Sequence, residues 1–347
     1  MLIGAVIAFV VIMTPTLSAQ GATRSSSTEN SKIINSVSGD RLLGTVNELA
    51  QFGTRAFYTN SSWNSSTYLH DRLESLGLWV YYQDFEVSGY QARNVIAVKN
   101  GSEPTARQYL FGAHYDSANR DVKNFSDGES YPAPGADDDA SGVAAVIEFA
   151  EILHDKILKS TTKFVAFSAE ETGLNGSAYF VQRESAAGVA YAGTAILDMI
   201  GYRTYPNNQA MIFSDYSTNA LAASIFTAVD NFDLNISITV VPGHALGYSD
   251  HASFWQAGYP SLLVIEELVG QSVAYPYYHT SEDTPNQLSE DQMVEIAKAV
   301  LGGFVQLENP SPRETSSMLT VIAVIAVVAI IVVLVAVFYV RHREVRE

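Results

Sequence analysis

Three consecutive carboxylates, Asp137, Asp138 and Asp139, lie in the segment PGADDDASG at residues 134–142. Like charges repel and Asp is a poor strand former, so an apolar-flanked loop rarely holds three of them without a cation. The run VAAVIEFAEIL follows directly and predicts a helix whose N-terminus carries the acids. Taken alone, the segment fits a metal-binding loop and a solvated helix cap equally well.

Other residues of metal-ligand type lie elsewhere in the chain. His114, Asp116, Glu170 and Glu171 follow predicted strands, Asp198 lies inside one, and His279 lies in a Tyr-rich loop before the last predicted helix. Functional groups in open parallel sheets collect outside the carboxyl ends of the strands, so we expect these side chains to converge. Each has an ordinary alternative, because a lone His is often only hydrogen-bonded and an acidic pair often caps a helix. Asp198, however, interrupts the apolar run TAILDMI, where an acid needs a partner or a metal. Together the imidazoles and carboxylates suit Zn²⁺.

The alternation of apolar runs and amphipathic stretches predicts an α/β fold, a three-layer sandwich with a mostly parallel central sheet. Two helices open the domain, and strands at 79–85 and 94–98 are predicted to form a hairpin. The further predicted strands are 108–113, 163–168, 194–199, 211–214, 236–241 and 260–265. The further predicted helices are 142–154, 177–183, 218–232 and 290–307.

The order and spacing of the motifs resemble peptidase family M28, the dizinc aminopeptidases related to secreted bacterial leucyl aminopeptidases and to glutamate carboxypeptidase. The resemblance covers residues 39–307. It rests on GAHYDS at 112–117, PGADDDASG at 134–142, FSAEETGLNGS at 167–177, LDMIGY at 197–202, YSDHASF at 248–254 and YHTSEDT at 278–284.

This resemblance implies a catalytic centre with two Zn²⁺ ions. His114 and Asp198 would hold one ion, Glu171 and His279 would hold the other, and Asp138 would bridge them. The implied activity is removal of N-terminal residues from peptides that have a free N-terminus. A zinc-bridging hydroxide would attack the peptide carbonyl, and Glu170 would be the general base that passes the proton to the leaving amine.

The resemblance also implies roles around this centre. Asp116 would orient the imidazole of His114 by accepting its second N–H. Met199, Tyr248 and Tyr278, together with Tyr277, are candidates for an apolar substrate pocket.

Five polar residues of the same motifs have less definite expectations. Asp139 is expected to cap the following helix, and Asp137 has no assigned role beyond steadying its loop. Asp283 could orient the loop that holds His279 or cap the last helix. Asp250, with its neighbour His251, is expected in a structural element beside the pocket.

Three other activities remain open at this stage. A carboxypeptidase would use the same dizinc core but would need cations for the terminal carboxylate, and the nearest, Arg183 and Arg203, do not form a cluster. The second alternative is a glutaminyl cyclase, which has a similar fold with one zinc ion. The third is an inactive receptor or scaffold ectodomain, because some relatives have lost hydrolysis. The complete ligand set favours two metals and an active enzyme.

The two ends predict a chain tethered to the cell membrane. Residues 318–340 carry no charge and are long enough to cross a bilayer as one transmembrane helix. The basic cluster in 341–347 predicts a cytoplasmic C-terminus, which places the catalytic domain outside. Residues 1–19 resemble a signal peptide, but their apolar run is not preceded by Lys or Arg, so an uncleaved anchor is the alternative. Polar residues 20–38 and 309–317 are predicted as a flexible linker and a tether around a peptidase domain at 39–308.

Composition adds limits to these expectations. The formal net charge of −17 argues against nucleic acid as a partner, and the absence of cysteine excludes disulfides. Asn-x-Ser/Thr sequons compatible with an exported surface occur at Asn60, Asn64, Asn100, Asn124, Asn175 and Asn235. The sequence predicts no oligomeric state.

Overall fold

The computed structural model describes residues 29–103, 107–215, 219–243, 247–266, 268–269 and 272–308. One compact unit spans Lys32–Glu308, and only residues 29–31 of the other unit are described. The predicted N-terminal signal or anchor, the tether at 309–317, the membrane helix at 318–340 and the basic tail lie outside the described residues. Among the helices within these ranges, none is both long enough and apolar enough to cross a membrane.

An eight-stranded mixed sheet forms the middle layer. Its strands are β1 (Trp79–Val87), β2 (Tyr90–Lys99), β3 (Gln108–His114), β4 (Thr162–Phe167), β5 (Tyr191–Leu197), β6 (Gln209–Ser214), β7 (Ser237–Pro242) and β8 (Ser261–Ile265). They lie in the order β1-β2-β4-β3-β5-β8-β6-β7. A short separate hairpin pairs β9 (Leu268–Val269) with β10 (Ser272–Val273).

The four central strands β4, β3, β5 and β8 run parallel, as the sequence predicts. The flanks differ, because β2 and β6 join this block antiparallel. At one edge β1 and β2 form the predicted hairpin, and they are linked by only Ser88 and Gly89, whose φ angles are 51° and 85°. A two-residue turn of this kind forces an antiparallel pair.

Helices cover both faces of the sheet. They are α1 (residues 29–35), α2 (Gly39–Ala50), α3 (Asn60–Ser75), α4 (Gly142–Leu153), α5 (Asn175–Ala186), α6 (Asn219–Asn231), α7 (His251–Gln256) and α8 (Glu290–Glu308). Side chains alternate along each strand, so Val95 of β2 packs in one hydrophobic cluster and Ile96 in the other. Phe149 of α4 and Phe304 of α8 belong to the first cluster, and Phe254 of α7 belongs to the second. The three-layer prediction is therefore correct.

The prediction of a flexible linker is wrong for residues 29–38. Residues 29–35 are helical, Ile34 is fully buried, and Ile33 and Val37 pack in the same cluster as α2 and α4. Ser38 caps α2 by accepting a hydrogen bond from the backbone N–H of Arg41. The Ser- and Asn-rich composition concealed three apolar residues that complete the core.

The parallel strands bring the predicted ligands to one edge of the sheet. In the register of β3 with β4, His114 lies opposite Phe167, and the chain reaches Glu170 three residues later. On the other side of β3, strand β5 ends at Leu197, immediately before Asp198. The edge at the carboxyl ends of these strands is therefore where the site must form.

Replacing Ile34 by Ala tests whether α1 belongs to the folded domain. Ile34 is fully buried, so Ile34→Ala should lower the free energy of unfolding by about 2–4 kcal/mol through lost apolar contacts and a cavity. Ile157 is 90% exposed, and Ile157→Ala is the matched control with little expected effect. Urea denaturation followed by circular dichroism measures both. Equal effects of the two changes would mean that α1 does not stabilise the domain.

Candidate metal centre

Asp138 lies between two imidazoles. Its Oδ1 is 3.1 Å from Nε2 of His114, and its Oδ2 is 3.0 Å from Nε2 of His279. Nε2 of His114 is 3.7 Å from Oδ1 of Asp198, and Nε2 of His279 is 2.7 Å from Oε2 of Glu171. The structure thus brings the five sequence-predicted ligands together in two groups that share Asp138.

The donor atoms fit metal ions better than they fit hydrogen bonds. Oδ2 of Asp138, Oε1 of Glu171 and Nε2 of His279 are buried, yet none makes a hydrogen bond of acceptable geometry, although Nε2 of His279 lies 3.0 Å from Oδ2 of Asp138 and 2.7 Å from Oε2 of Glu171. Buried polar atoms are normally satisfied, so three such atoms in one place call for an explanation. Imidazole nitrogens and carboxylate oxygens that converge on common points are the ligand types of zinc.

The pKa shifts report a strong negative field at these groups. Burial would lower the pKa of His279, but its contacts with Asp138 and Glu171 raise it to about 10. Burial likewise disfavours the charged form of His114, yet Glu170 and the neighbouring Asp carboxyls raise its pKa well above the ordinary value. A divalent cation would neutralise the same field.

Asp139 fastens three elements at the edge of this centre. Its Oδ1 accepts hydrogen bonds from the backbone N–H of Gly142 at 2.9 Å and of Met199 at 3.2 Å. Its Oδ2 accepts one from the backbone N–H of His114 at 3.2 Å. One carboxylate oxygen of Asp139 also lies within 4.8 Å of ligand atoms of His114 and Asp198. Because both oxygens of Asp139 already accept hydrogen bonds, Asp138 is the better candidate ligand. Asp139 caps the start of α4 and also holds the backbone of His114 and Met199.

Asp283 orients the acidic loop. Its carboxylate accepts hydrogen bonds from the backbone N–H of Asp137 at 2.8 Å, from that of Asp138 at 3.2 Å, and from the hydroxyl of Tyr275 at 2.7 Å. Of the two roles left open by the sequence, capping the last helix is excluded, because α8 begins only at Glu290.

Asp137 points away from the ligands into the protein. Its Oδ1 accepts a hydrogen bond from the backbone N–H of Gly201 at 2.8 Å, which ties the acidic loop to the segment after β5. Burial raises the pKa of Asp137 and of Glu266 well above the usual range, and neighbouring carboxyl charges contribute to both shifts. Asp137 is therefore a structural residue of this loop.

Asp116 differs from its predicted role. Nδ1 of His114 lies 3.1 Å from the backbone carbonyl of Asp116, whereas the Asp116 carboxylate is 3.7 Å away. That carboxylate is occupied elsewhere, because it accepts hydrogen bonds from the backbone N–H groups of Glu170 at 3.1 Å and Glu171 at 3.3 Å. The backbone carbonyl of Asp116 is thus the nearer acceptor for the imidazole, and the Asp116 carboxylate positions the backbone of the two glutamates.

Glu170 lies in a recess of about 680 Å³ that the metal-ligand residues border. Burial raises its pKa well above the ordinary value, and Glu171, Asp250 and Asp198 add to this effect. Neither imidazole forms an ion pair with Glu170 among the described contacts.

The sequence-predicted pocket residues mostly border the same recess. Met199, Tyr248 and Tyr278 line it together with the apolar side chains Leu263, Ile265 and Leu268. Tyr278 stacks on the imidazole of His279 with ring centroids 3.7 Å apart. Tyr277 instead packs against Tyr275.

The segment that directly follows Tyr248 is buried beside the recess. Asp250 and His251 are fully buried, and only Ser249 among these three lines the recess. Burial raises the pKa of Asp250 to about 7. The residues belong to the start of α7, in agreement with a structural element beside the pocket.

Three residues at the site have backbone angles that non-glycine residues seldom adopt. Their φ values are 58° for Ala169, 53° for Met199 and 56° for His279. Each lies beside or at a predicted site residue. Such conformations cost free energy and persist where surrounding contacts determine them, which is typical of functional sites.

Arg55 is the functional residue that the sequence pattern did not reveal. It is fully buried, and its guanidinium donates hydrogen bonds to the backbone carbonyls of Leu49, Tyr115, Pro134 and Gly135. It therefore joins the loop after β3 to the acidic loop. The sequence signal was one arginine among apolar and aromatic neighbours in FGTRAFY, and a single arginine between two helices is usually solvated.

Three comparisons relate this chain to known proteins. A sequence model of peptidase family M28 matches residues 94–303. Leucine aminopeptidase 1 of Fusarium vanettenii is 31% identical over 279 residues, which cover 76% of this chain and 68% of that protein.

Solved structures share the fold. The LapA aminopeptidase of Legionella pneumophila superposes with a TM-score of 0.69 at 22% identity, covering 81% of this chain and 75% of LapA. The glutaminyl cyclase of Porphyromonas gingivalis superposes with a TM-score of 0.64 at 23% identity, covering 78% of this chain and 99% of the cyclase.

Replacing Arg55 by Gln should damage both stability and metal binding. The change removes a buried positive charge and leaves carbonyl oxygens unpaired, so we expect a loss of about 3 kcal/mol or more in the free energy of unfolding. Arg183→Gln is the control, because Arg183 is exposed on α5. Denaturant titration and zinc content per folded chain are the measurements. An Arg55→Gln protein with unchanged stability and zinc content would contradict the positioning role.

Proposed function

The chain belongs to peptidase family M28, and we propose that it is a zinc-dependent aminopeptidase that removes apolar N-terminal residues from peptides. The arrangement around Asp138 carries this proposal: two imidazoles share its carboxylate, and Glu170 lines the adjoining recess. This combination joins metal ligands to a separate proton-transfer group.

Two zinc ions account for the whole ligand set. His114 and Asp198 would hold one ion, Glu171 and His279 would hold the second, and Asp138 would contact both. When bound, zinc polarises the peptide carbonyl and lowers the pKa of a bound water to about 7.

Glu170 supplies the proton transfer. Burial raises the pKa of its carboxyl well above the ordinary value, and a perturbed carboxyl beside metal ligands is a candidate for proton transfer. In peptide hydrolysis it would take a proton from the attacking water and give one to the leaving amine nitrogen. Asp116 holds the backbone of Glu170 in place for this exchange.

The charge of the recess favours a substrate with a free amine. Among the described residues that line it, four are carboxylates and none is Lys or Arg. Bound zinc would offset the charge of the three ligand carboxylates, which leaves Glu170 to attract a protonated amine, and no Lys or Arg among the described lining residues could hold the terminal carboxylate of a carboxypeptidase substrate. Arg203 pairs with Asp291 at 3.9 Å and Arg183 is exposed on α5, and neither of them lines the recess.

The apolar side of the recess suits the first side chain of the peptide. Met199, Leu263, Ile265 and Leu268 provide this surface, and a leucine side chain gains by leaving water there. The similarity to a leucine aminopeptidase supports the same substrate class.

Glutaminyl cyclase activity is the second candidate, because a solved cyclase shares the fold. The five ligand residues favour two zinc ions, whereas the cyclase reaction is expected to use one. Zinc content per chain and the products formed from glutaminyl peptides separate the two activities.

Replacing Glu170 by Gln tests the mechanism directly. Without the carboxyl group, hydrolysis of leucine amide should fall by about 10²–10⁴-fold, because general acid–base catalysis is lost. Zinc content should stay unchanged, since Glu170 is not assigned as a ligand. Glu86→Gln, on the exposed hairpin, is the control and should keep full activity.

The same assay includes a chelator and an N-acetylated leucine substrate. The chelator should abolish hydrolysis of leucine amide, and zinc added after the chelator is removed should restore it. The N-acetylated substrate should not be hydrolysed. Full activity of Glu170→Gln with zinc retained would refute the proposed base.

We also propose that residues 318–340 tether the chain to the cell membrane, with the catalytic domain outside. The support is the sequence: 23 residues without charge precede a basic tail.

The full chain should therefore stay in the membrane pellet after alkaline carbonate extraction. On intact cells, the peptidase domain should be accessible to added protease. A chain ending at Glu308 should be released if residues 1–19 are cleaved and retained if they form an anchor. Recovery of the full chain in the soluble fraction would contradict the tether.

A further inference from the structure

A second recess, of about 550 Å³, also borders Glu171. On the side of the metal centre it is lined by Asp116 and Thr172. Its other walls come from the segment between α2 and α3 and from the loop after β3, which contribute Tyr58, Val122 and Phe125. The metal centre therefore contacts two recesses rather than one.

The aromatic wall of this second recess is firmly packed. The rings of Tyr58 and Phe125 stack with centroids 4.5 Å apart and an interplanar angle of 18°. Fully buried Phe57 meets Phe125 edge-on at 5.5 Å. The loop approaches so closely at Gly128 that an added Cβ would lie 2.2 Å from the Tyr58 ring. Packing with Phe57 and against Gly128 therefore holds the rings of this wall in place.

The charges of the two recesses differ. The first contains Glu170, Asp198 and Asp138, whereas the second shares only Glu171 and Asp116 with the centre and includes Lys123. Glu170, the carboxylate of the first recess that is not assigned as a ligand, would attract a protonated N-terminal amine, whereas Lys123 of the second recess would repel it. The rest of the peptide chain must then leave the centre on the other side.

We infer that the second recess binds the side chain of the second residue of the substrate, directly after the scissile bond, and selects large apolar or aromatic side chains. This inference rests on the proposed aminopeptidase function. Tyr58 and Phe125 provide an apolar contact surface, and aromatic rings gain further from edge or offset packing with one another. The site would thus read two residues of each peptide.

Dipeptide amides that differ only in the second residue test this subsite. The full chain should hydrolyse Leu-Phe-NH₂ about tenfold faster in kcat/KM than Leu-Ala-NH₂, the size expected when an aromatic side chain gains a pocket. The protein should be produced without N-glycans, because Asn124 lines the recess and begins an Asn-Phe-Ser sequon.

Two variants change the recess in opposite directions. Phe125→Ala removes part of the wall and Val122→Trp fills the space, so each should reduce the Phe/Ala preference to about threefold or less. Phe226→Ala is the control, because Phe226 is exposed on α6 and lines neither recess. Hydrolysis of leucine amide, which has no second side chain, should be unchanged in every folded variant.

The outcomes separate the subsite from the activity. If leucine amide and Leu-Ala-NH₂ are cleaved but both variants keep the wild-type preference, the subsite is refuted and the aminopeptidase stands. If neither is cleaved by the zinc-loaded protein, the proposed function itself fails.

Lys123 provides an independent arm of the experiment. Its Nζ donates a hydrogen bond to the backbone carbonyl of Arg120 at 3.0 Å. Lys123→Met should not affect cleavage of Leu-Phe-NH₂, since the amide has no carboxylate. Cleavage of N-acetyl-Leu-Phe that depends on Lys123 would show that the recess grips a C-terminal carboxylate, and would overturn the inference.

Discussion

The buried negative charge around Asp138 is the constraint on which the rest of the structure depends. Carboxylates are rarely buried together, since desolvation and mutual repulsion both disfavour their charged forms. Here Asp138, Glu170 and Glu171 are all buried, and His114 and His279 are the imidazoles among them. Protons can relieve this field in part, as the raised pKa values indicate. Divalent cations would neutralise this negative field. The arrangement of side chains at the carboxyl ends of the strands is therefore linked to metal binding.

A second group of carboxylates uses its charge differently, as acceptors for backbone N–H groups. Asp116 holds the turn that carries Glu170 and Glu171, and Asp283 holds the backbone of Asp137 and of the residue after it. Charge-assisted hydrogen bonds of this kind are stronger than neutral ones. The backbone of these two loops is therefore positioned by acids that are not assigned as metal ligands.

The sequence predicted best what depends on local patterns. Alternating apolar runs located the strands of the parallel block, and polar residues at or near the ends of these runs were among the predicted ligands that the structure brings together around Asp138. Long-range partners could not be predicted in this way. Asp283 accepts a hydrogen bond from the backbone N–H of Asp137, which is 146 residues away in the chain, and Arg55 donates hydrogen bonds to carbonyls up to 80 residues away. Likewise, the burial of Ile34 depends on a core formed by distant helices, whereas its own segment is polar.

The two recesses connect this rigidity to substrate choice. Met199 and His279 hold left-handed backbone angles beside the ligands, and Asp139 fixes the N–H of Met199 directly. A site held in this way gains selectivity through preorganisation, because little conformational freedom is lost when the peptide binds. In the proposed function the first recess receives the free amine and the first side chain, and the aromatic wall at Phe125 would meet the chain beyond the scissile bond. Selection along the peptide would then follow from two recesses that border the same metal centre and differ in charge and lining.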